Sequence, residues 1–197
     1  MIEIDNISKA LPYQLFEDYY KKAFEVNQRS IEAACISSVS KDNKPHSRFV
    51  NLKYVSGFEF IFFSNYESNK ALDFKINPFI ALNLFWDSIN LQIRIEGIIK
   101  KTSSKLSDKH YLKRSDQKNA LAISSSQSSE TSSYDKVRLS YENILNNDNL
   151  RIRPAYWGGY SVIPSSFEFW EGHRSRLNKR DLYKISGDAW EHSILQP

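Results

Sequence analysis

The chain has 197 residues, of which 41% are hydrophobic and 14% aromatic, a composition typical of a folded globular protein and not of a disordered one. No apolar run reaches the about 18 residues of a membrane-spanning helix, the first residues lack the apolar core of a signal peptide, and the only cysteine, Cys35, excludes an internal disulfide and a cysteine-rich zinc site. With a single cysteine, a reducing cytoplasm is the expected location. The net charge of +4 suits either an ordinary basic surface or an anion-binding protein.

The first half of the chain is predicted to form a helix followed by a series of strands. Residues 12–27 place apolar side chains such as Phe16 and Tyr20 at helical spacing, which predicts an amphipathic helix that covers a core. Segments rich in β-branched and aromatic residues follow, separated by turn-forming residues, at 31–39, 47–55, 58–64, 79–86 and 91–101. Strands at this spacing favour a barrel or a sandwich over alternating strands and helices.

The second half mixes helices with further strands. Helices are predicted at 69–76, between strands, and at 104–123 and 134–147, with a serine-rich loop at 123–133. Strand character returns in AYWGGYSVIP, in SSFEFWEG and in a last segment around DLYKI that extends to Trp190. Because no repeat and no linker is visible, we expect one β-rich domain over residues 1–197 with helices on its outside.

Common nucleotide-binding and hydrolase motifs are absent from the chain. The patterns G-x-G-x-x-G and G-x-x-x-x-G-K-[ST] do not occur, which argues against Rossmann and P-loop folds. The four histidines show no H-E-x-x-H spacing, and there is no G-x-S-x-G, so neither a metal site nor a serine hydrolase is predicted. Any catalysis would therefore rely on an organic cofactor.

Cations and polar side chains occur within and beside the central strands. Arg48 and Lys53 lie on opposite faces of a regular strand, so one can serve a cofactor phosphate and the other a nearby ligand; two solvated edge charges are the alternative. Ser68 is placed to cap the helix that follows it, where Lys70 and free N–H groups would form an anion site, unless this is an ordinary capped helix. The amide of Gln92 suits the polar edge of a flavin ring, unless it is simply exposed.

Two later segments contain further candidates. Gln127 and Ser128 could hold a phosphate or a ring edge, although composition alone favours a disordered serine loop there. After an aromatic strand, Arg176, Asn178 and Arg180 would share one face of an extended chain, and arginine suits bidentate anion recognition. A basic cluster beside aromatic residues is also typical of proteins that bind single-stranded nucleic acid.

The ordered set of motifs resembles the pyridoxamine/pyridoxine 5'-phosphate oxidase family. The motifs are R-x-V-x-L-K, F-x-S-N-x-x-S-x-K, Q-x-R-I-E-G, Q-S-S, W-G-G-Y, F-W-x-G followed by R-L-x-x-R, and a closing L-x-P. The resemblance covers about residues 10–197. The most specific motifs are FWEG with R-L-N-K-R and the C-terminal Leu195-Gln196-Pro197.

The resemblance implies a mainly β fold with peripheral helices, a split β-barrel whose homodimer holds flavin mononucleotide (FMN) between its subunits. The implied FMN-binding residues are Arg48, Phe49, Val50, Lys53, Phe63, Ser64, Ser68, Lys70, Gln92, Gln127, Ser128, Trp170 and Arg180. The implied substrate-binding residues are Lys53, His110, Arg114, Lys118, Arg176 and Asn178, of which Arg176 and Asn178 would orient the pyridine ring over the flavin.

At four positions this chain departs from the pattern of the family. His110 stands where the family usually has Tyr, Lys118 where it has Ser, and Asn178 where it has His. Asn69 stands where the family has Arg, so one cation for the FMN phosphate is lost. His110 and Lys118 can still bind an anion, whereas Asn178 can form hydrogen bonds but cannot titrate as imidazole does.

Three functional hypotheses follow. The first is an oxidase that converts pyridoxamine or pyridoxine 5'-phosphate to pyridoxal 5'-phosphate and reduces O2 to H2O2, with no nucleic-acid or membrane partner. The second is a diverged FMN enzyme that acts on another reductant, as phenazine-pathway flavin oxidases do, and the altered substrate positions motivate it. The third is a nucleic-acid binder without enzymatic activity, motivated by the basic, aromatic C-terminal segment.

Overall fold

The computed structural model describes residues 1–197 and contains a nine-stranded sheet with five α-helices. In chain order, the elements are β1 (Glu3–Asp5), α1 (Leu11–Glu25), β2 (Ala33–Val39), β3 (Pro45–Ser56), β4 (Glu59–Asn65), α2 (Asn69–Ile76), β5 (Phe79–Trp86), β6 (Leu91–Lys101), α3 (Ser104–Lys113), α4 (Asp116–Ser124), α5 (Tyr134–Asn147), β7 (Trp157–Glu171), β8 (Lys179–Ser186) and β9 (Ala189–Ile194). A short 3₁₀ turn at Asp87–Ile89 joins β5 to β6. None of the helices combines the length and the apolar character that crossing a membrane would require.

Six strands close into an antiparallel barrel. Their order is β3, β2, β5, β6, β7 and β4, and β4 pairs back onto β3. The five central strands predicted from the sequence are all present, and they form a barrel and not a sandwich. Side chains alternate between the packed interior and the outside, as in β6, where Leu91, Ile93 and Ile95 are buried and Gln92 lies on the other face.

The sequence predicts two strands in the region of β7, and the structure corrects this to a single long strand. The first half of β7 pairs with β4 as far as Val162, and the second half pairs with β8 from Ser166 onward. Pro164 lies between these two ladders, so its missing N–H interrupts neither of them. The same strand therefore closes the barrel and carries the β8–β9 hairpin beyond it.

The helices lie outside the barrel, and their positions agree with the sequence except in one region. Helix α1 buries Phe16 and Tyr20 against the main core, as its periodicity predicts. The sequence predicts one helix over 104–123, but the chain forms α3 and α4 with a break at Arg114 and Ser115. The break is stable because the Ser115 hydroxyl accepts a hydrogen bond from the backbone N–H of Lys118 and caps α4.

Gly97 allows β6 and β7 to approach each other closely at an irregularity in their pairing. The register shifts between Glu96 and Gly97, and a Cβ atom at Gly97 would collide with the carbonyl of Ile163 and lie 2.9 Å from the Cα of Pro164. Both obstacles are backbone atoms, which cannot rotate away.

We expect Gly97→Ala to lower the free energy of unfolding by about 1–3 kcal/mol, measured by urea denaturation, because the added Cβ collides with the backbone. Gly187→Ala is the comparison. Gly187 lies in a turn with a positive φ and no atom near the added Cβ, so this substitution measures the cost of the positive φ without a collision.

The outside of the barrel carries several exposed apolar side chains. Phe49 on β3, Phe79 and Phe85 on β5, and Ile98 on β6 are between 42% and 76% exposed. Their neighbours along each strand point into the core, so the strand pattern itself puts them outside. An apolar surface of this kind is typical of a subunit interface.

Candidate functional site

A cavity of about 500 Å³ opens beside β3, next to the break between α3 and α4. We call it the cationic cavity, because four of the predicted substrate residues line it: Lys53, His110, Arg114 and Lys118. Lys53 comes from β3, His110 from α3, Arg114 from the break, and Lys118 from the first turn of α4. Because the chain turns at Arg114, side chains from two helices reach the same space.

The guanidinium group of Arg114 is free to bind an anion in this cavity. It forms no salt bridge; it lies 4.2 Å from the ring centroid of Trp157, and its Nη2 donates a hydrogen bond to the carbonyl of Lys118. Burial lowers the pKa of Arg114, but an arginine remains charged at neutral pH. A partly buried cation without a carboxylate partner is a natural site for a phosphate or carboxylate ligand.

His110 lies in the same cavity as a neutral imidazole. Burial lowers its pKa to about 4, and the positive charges of Arg114 and Lys53 act in the same direction. Its ring stacks on Phe63, with 3.8 Å between the ring centroids and 9° between the ring planes. At neutral pH this residue can therefore contribute a hydrogen bond to an anion, but not a charge.

A second group of predicted residues surrounds a buried ammonium, and we call it the Lys70 cluster: Ser64, Ser68, Lys70 and Gln127. Lys70 is only 7% exposed, and its Nζ donates to Ser64 Oγ and Ser68 Oγ at 2.9 Å and to Gln127 Oε1 at 3.3 Å. All three acceptors are neutral, and no carboxylate pairs with Lys70. Burial, followed by repulsion from Arg48, lowers its pKa to about 8. A buried cation without a counterion is costly unless an anion joins it.

Ser68 occupies the N-cap position of α2, as predicted, but its side chain does not cap the helix. Its hydroxyl donates a hydrogen bond to the carbonyl of Asn65 at 2.8 Å and accepts one from Lys70. The prediction of a capping serine is therefore corrected, because the buried ammonium needs the oxygen as an acceptor.

The serine-rich loop between α4 and α5 is attached to the barrel through Gln127. Its Oε1 accepts hydrogen bonds from Ser64 Oγ at 3.2 Å and from the backbone N–H of Asn65 at 3.4 Å, besides that from Lys70. Ser128, the next residue, is exposed and has a left-handed backbone with a φ of 75°. A smaller cavity of about 200 Å³ lies beside this contact, and Phe63, Arg114 and Trp157 line both cavities.

Arg48 lies on the interior face of β3, opposite to Lys53, as alternation along the strand predicts. Its Nη1 donates to Ser38 Oγ at 2.7 Å, and its Nη2 lies 3.6 Å from the carboxylate of Asp73. His46 Nδ1 contacts the same carboxylate at 3.0 Å. Asp73 on α2 thus holds the guanidinium near Lys70, although it also offsets part of the positive charge of Arg48.

The remaining residues implied for FMN differ in exposure. Val50, on the same side of β3 as Arg48, packs partly buried against the core. Phe49 is 76% exposed on the outside of the barrel, and Asn69 is exposed at the first position of α2.

Gln92, Trp170 and Arg180 form a separate row across β6, β7 and β8. Gln92 stands opposite Trp170 in one strand pair, and Trp170 stands opposite Arg180 in the next. Arg180 binds the carboxylate of Glu168 through Nε and Nη2, both at 2.8 Å, and Arg94 binds the other oxygen of this carboxylate at 2.7 Å. This row lines neither of the two cavities described above.

Arg176 and Asn178 lie in a turn and not in an extended strand, which corrects the expectation that they share a face with Arg180. The backbone N–H of Arg176 donates to the carbonyl of His173 at 3.0 Å, and Arg176 has a left-handed φ of 64°. Asn178 Oδ1 accepts a hydrogen bond from the backbone N–H of His173 and so closes the turn. Strand β8 begins only at Lys179.

Sequence reasoning missed two aromatic residues of the cationic cavity, Tyr54 and Trp157. In a regular strand Tyr54 would point away from Lys53, yet both line the cavity. The pairing of β3 with β4 shifts register between Leu52 and Tyr54, and such a bulge turns two consecutive side chains toward one region. Trp157 is the first residue of the W-G-G-Y motif, which in the sequence indicated only the resemblance to a family. That its side chain lines the cavity depends on how distant elements pack around it, which the motif does not encode.

Comparison with known proteins identifies the family of the chain. Residues 21–148 match the family model described as pyridoxamine 5'-phosphate oxidase, and residues 157–197 match the model described as the pyridoxine 5'-phosphate oxidase C-terminal dimerisation region. The chain belongs to the pyridoxamine 5'-phosphate oxidase family. Among its relatives in that family, the pyridoxine/pyridoxamine 5'-phosphate oxidase of Cytophaga hutchinsonii is 38% identical over 90% of this chain and 84% of its own length. The enzyme of the same name from Haemophilus influenzae is 36% identical over 94% and 89%.

Two solved structures agree with the barrel described above. PhzG from Burkholderia lata, solved in complex with tetrahydrophenazine-1-carboxylic acid, is 25% identical, has a TM-score of 0.89 and covers 94% of this chain and 92% of its own. A pyridoxamine 5'-phosphate oxidase-related, FMN-binding protein from Nostoc punctiforme has a TM-score of 0.77 at 14% identity, with 96% and 99% covered. The second likeness shows the fold alone.

Proposed function

We propose that this chain is an FMN-dependent oxidase that converts pyridoxamine or pyridoxine 5'-phosphate to pyridoxal 5'-phosphate and reduces O2 to H2O2. One observation carries the proposal: the cationic cavity and the smaller cavity lie side by side and share the walls formed by Phe63, Arg114 and Trp157. Ser64 and Gln127, which bind the buried ammonium of Lys70, line the smaller cavity, so two sites for anions lie close together. A reaction between a phosphorylated cofactor and a phosphorylated substrate requires two such sites close together. The names of the relatives agree with this substrate class.

The residues of the Lys70 cluster fit the phosphate of FMN. The buried ammonium of Lys70 has neutral partners only, so a phosphate would supply the missing negative charge. Arg48 adds a second cation close by, held in place by Ser38 and Asp73. Bound FMN would supply the redox chemistry, accepting two electrons from the substrate and passing them to O2.

The cationic cavity would bind and orient the substrate through its phosphate. Lys53, Arg114 and Lys118 provide three positive charges, and His110 adds a neutral hydrogen-bonding group. Phe63 and Trp157 form an apolar wall on which the rings or planes of His110 and Arg114 are stacked and so held in position. These residues hold the substrate in position, and no side-chain base is needed for the oxidation.

A second copy of the chain would complete the site. The row Gln92, Trp170 and Arg180 and the turn with Arg176 and Asn178 line neither cavity within one chain. Residues 157–197, which include most of this group, match the dimerisation region, and the exposed apolar face of the barrel fits a subunit interface. In a homodimer this group would supply the amide, the indole and the guanidinium groups for the flavin ring and the pyridine ring.

The visible spectrum of the purified protein tests the function directly. We expect flavin absorption bands that bleach when pyridoxamine 5'-phosphate is added without oxygen, and equal amounts of H2O2 and pyridoxal 5'-phosphate once air is admitted. Pyridoxine 5'-phosphate should give the same products, except that no ammonia is released. A colourless protein with steeply salt-dependent binding to oligonucleotides would contradict the proposal and support the nucleic-acid hypothesis.

A second candidate function is favoured by the structural likeness to PhzG and by the altered residues His110, Lys118 and Asn178. PhzG was solved with a tricyclic carboxylic acid, which carries no phosphate. Lys53, Arg114 and Lys118 together fit a doubly charged phosphate better than a single carboxylate. Saturable turnover of a reduced phenazine carboxylate, together with no turnover of either B6 phosphate, would make this second function the correct one.

The pKa of Lys70 predicts how FMN binding depends on pH. Because this pKa is about 8 instead of the ordinary 10.5, Lys70 loses its charge as pH rises through 8, and FMN affinity should fall. The phosphate of FMN has its second pKa at about 6, so it does not titrate in this range.

The same pKa predicts the opposite trend for the stability of the FMN-free protein. Between pH 8 and pH 10.5 Lys70 binds more protons in the unfolded chain than in the folded one, so the free energy of unfolding should rise with pH. Fluorescence titrations with FMN and thermal melts at pH 7, 8 and 9 measure the two opposite trends; parallel trends would contradict the assignment.

A further inference from the structure

Tyr54 makes a contact with His110 that none of the functional assignments above uses. The Tyr54 hydroxyl oxygen lies 2.9 Å from His110 Nδ1, and the two rings meet edge to face with centroids 5.4 Å apart. On its flat side, the imidazole stacks on Phe63. The position of the ring is therefore fixed by two contacts, while its other nitrogen, Nε2, has no hydrogen-bond partner within the protein.

The charged groups around Tyr54 favour one direction of the hydrogen bond between the Tyr54 hydroxyl and His110 Nδ1. Lys113, at the end of α3, extends over the Tyr54 ring with its Nζ 5.7 Å from the ring centroid, and its ammonium also pairs with Glu3 at 3.3 Å. The positive charge of Lys113 favours the hydroxyl orientation in which the oxygen lone pairs face the ammonium and the hydrogen points away from it. In that orientation the Tyr54 hydroxyl donates its hydrogen to His110 Nδ1, which carries the lone pair.

We propose that Tyr54 is a positioning residue, which holds His110 in the tautomer protonated at Nε2 so that the imidazole donates a hydrogen bond to the phosphate of the substrate. This inference rests on the proposed function for the identity of the ligand. In the opposite tautomer Nε2 would present a lone pair to an anion, and the contact would be repulsive. A neutral donor adds to recognition without adding a further charge to those of Lys53, Arg114 and Lys118.

The charges that surround His110 agree with a neutral ring. Lys53 faces it from β3, Lys113 and Arg114 from α3 and its end, and Lys118 from α4, and all of them oppose protonation. Glu3 on β1 is the acidic side chain of the cavity lining, and it pairs with Lys113. The imidazole should therefore stay neutral and keep one tautomer throughout the range from pH 6 to pH 9.

Nitrogen-15 NMR of the histidine-labelled holoenzyme tests the tautomer without any turnover. We expect the His110 signals, assigned by their loss in His110→Phe, to show a protonated Nε2 and an unprotonated Nδ1 at pH 7, and Nε2 to shift when inorganic phosphate is added. A wild-type spectrum with the proton on Nδ1 would overturn the proposal, even if the enzyme oxidises pyridoxine 5'-phosphate as expected. If the tautomer and the phosphate shift are as stated but neither B6 phosphate is oxidised, the proposed function fails and the role of Tyr54 in anion binding stands.

A double-mutant cycle separates positioning from a general structural role. We expect Tyr54→Phe to raise the KM for pyridoxine 5'-phosphate about 3- to 10-fold with little change in kcat, the range for losing one ordinary hydrogen bond. In the His110→Phe background the same change should have no further effect, because Tyr54 acts only through His110. Tyr134→Phe, which removes the hydroxyl of a tyrosine that is 81% exposed, is the control. Equal effects of Tyr54→Phe in both backgrounds would refute the positioning role.

Discussion

Lys70→Met is expected to weaken FMN binding about 10- to 100-fold, since a hydrogen bond to a charged group contributes about 1.5–3 kcal/mol and 1.4 kcal/mol corresponds to a factor of ten. The ammonium of Lys70 is buried among two hydroxyl groups and one amide, with no carboxylate to balance it. Methionine keeps most of the side-chain volume and removes the charge. The loss should appear as a higher dissociation constant in titrations of the FMN-free protein.

The same substitution should leave the FMN-free protein at least as stable as the wild type. Removing an unpaired buried charge removes its desolvation cost, so the melting temperature without FMN should stay constant or rise. Lys75→Met is the matched control, because Lys75 lies on the same helix, α2, but is exposed; it should change neither property. A Lys70→Met protein that binds FMN normally but unfolds more easily would show that Lys70 has a structural role only.

Arg114→Met is expected to raise the KM for pyridoxine 5'-phosphate about 100-fold, equivalent to roughly 3 kcal/mol for two hydrogen bonds to a charged group. The guanidinium of Arg114 has no acidic partner and is oriented by Trp157 and by the carbonyl of Lys118, so it is preorganised for a planar, bidentate contact. The effect should be specific to the phosphate. Turnover of unphosphorylated pyridoxine, measured at high concentration, should change little.

Arg29→Met serves as the control for Arg114→Met. Arg29 is exposed in the turn after α1 and lines neither cavity, so its loss should alter neither KM nor kcat. If Arg114→Met reduced the turnover of pyridoxine and of its phosphate by the same factor, the residue would not be part of a phosphate site. That result would favour the second candidate function, in which the substrate has no phosphate.

Local patterns in the chain were sufficient to predict most of the elements. The alternation of apolar residues in segments such as Leu91–Lys101 and the helical spacing in Leu11–Glu25 led to the correct strands and helices. The errors occur where a distant element decides the outcome. The sequence predicted two strands that meet at Pro164, but the pairing of β7 with β4 ends just before this residue and its pairing with β8 begins just after it, so one strand continues through.

The predicted site residues also fall into two groups, because the packing of distant elements decides which of them meet. The motifs around Lys53 and Lys70 and the loop with Gln127 are brought together within one chain, because β3, β4 and the helices that follow β6 pack against each other. The row with Trp170 and Arg180 lines neither cavity, because these strands lie elsewhere on the barrel of a single chain. The extended face expected for Arg176 and Asn178 is replaced by a turn, because both residues bond to His173.

The sequence by itself determined the β-rich class, the succession of most elements and the resemblance to the pyridoxamine 5'-phosphate oxidase family, and it predicted the candidate anion-binding cations. These follow from periodicity and from short motifs, which depend on neighbouring residues only. The tertiary structure alone decided that Lys70 is buried without a counterion, and that the bulge after Leu52 brings Tyr54 beside His110. Burial and hydrogen-bond partners depend on residues far apart in the chain, here 56 positions between Tyr54 and His110, and no local pattern encodes them.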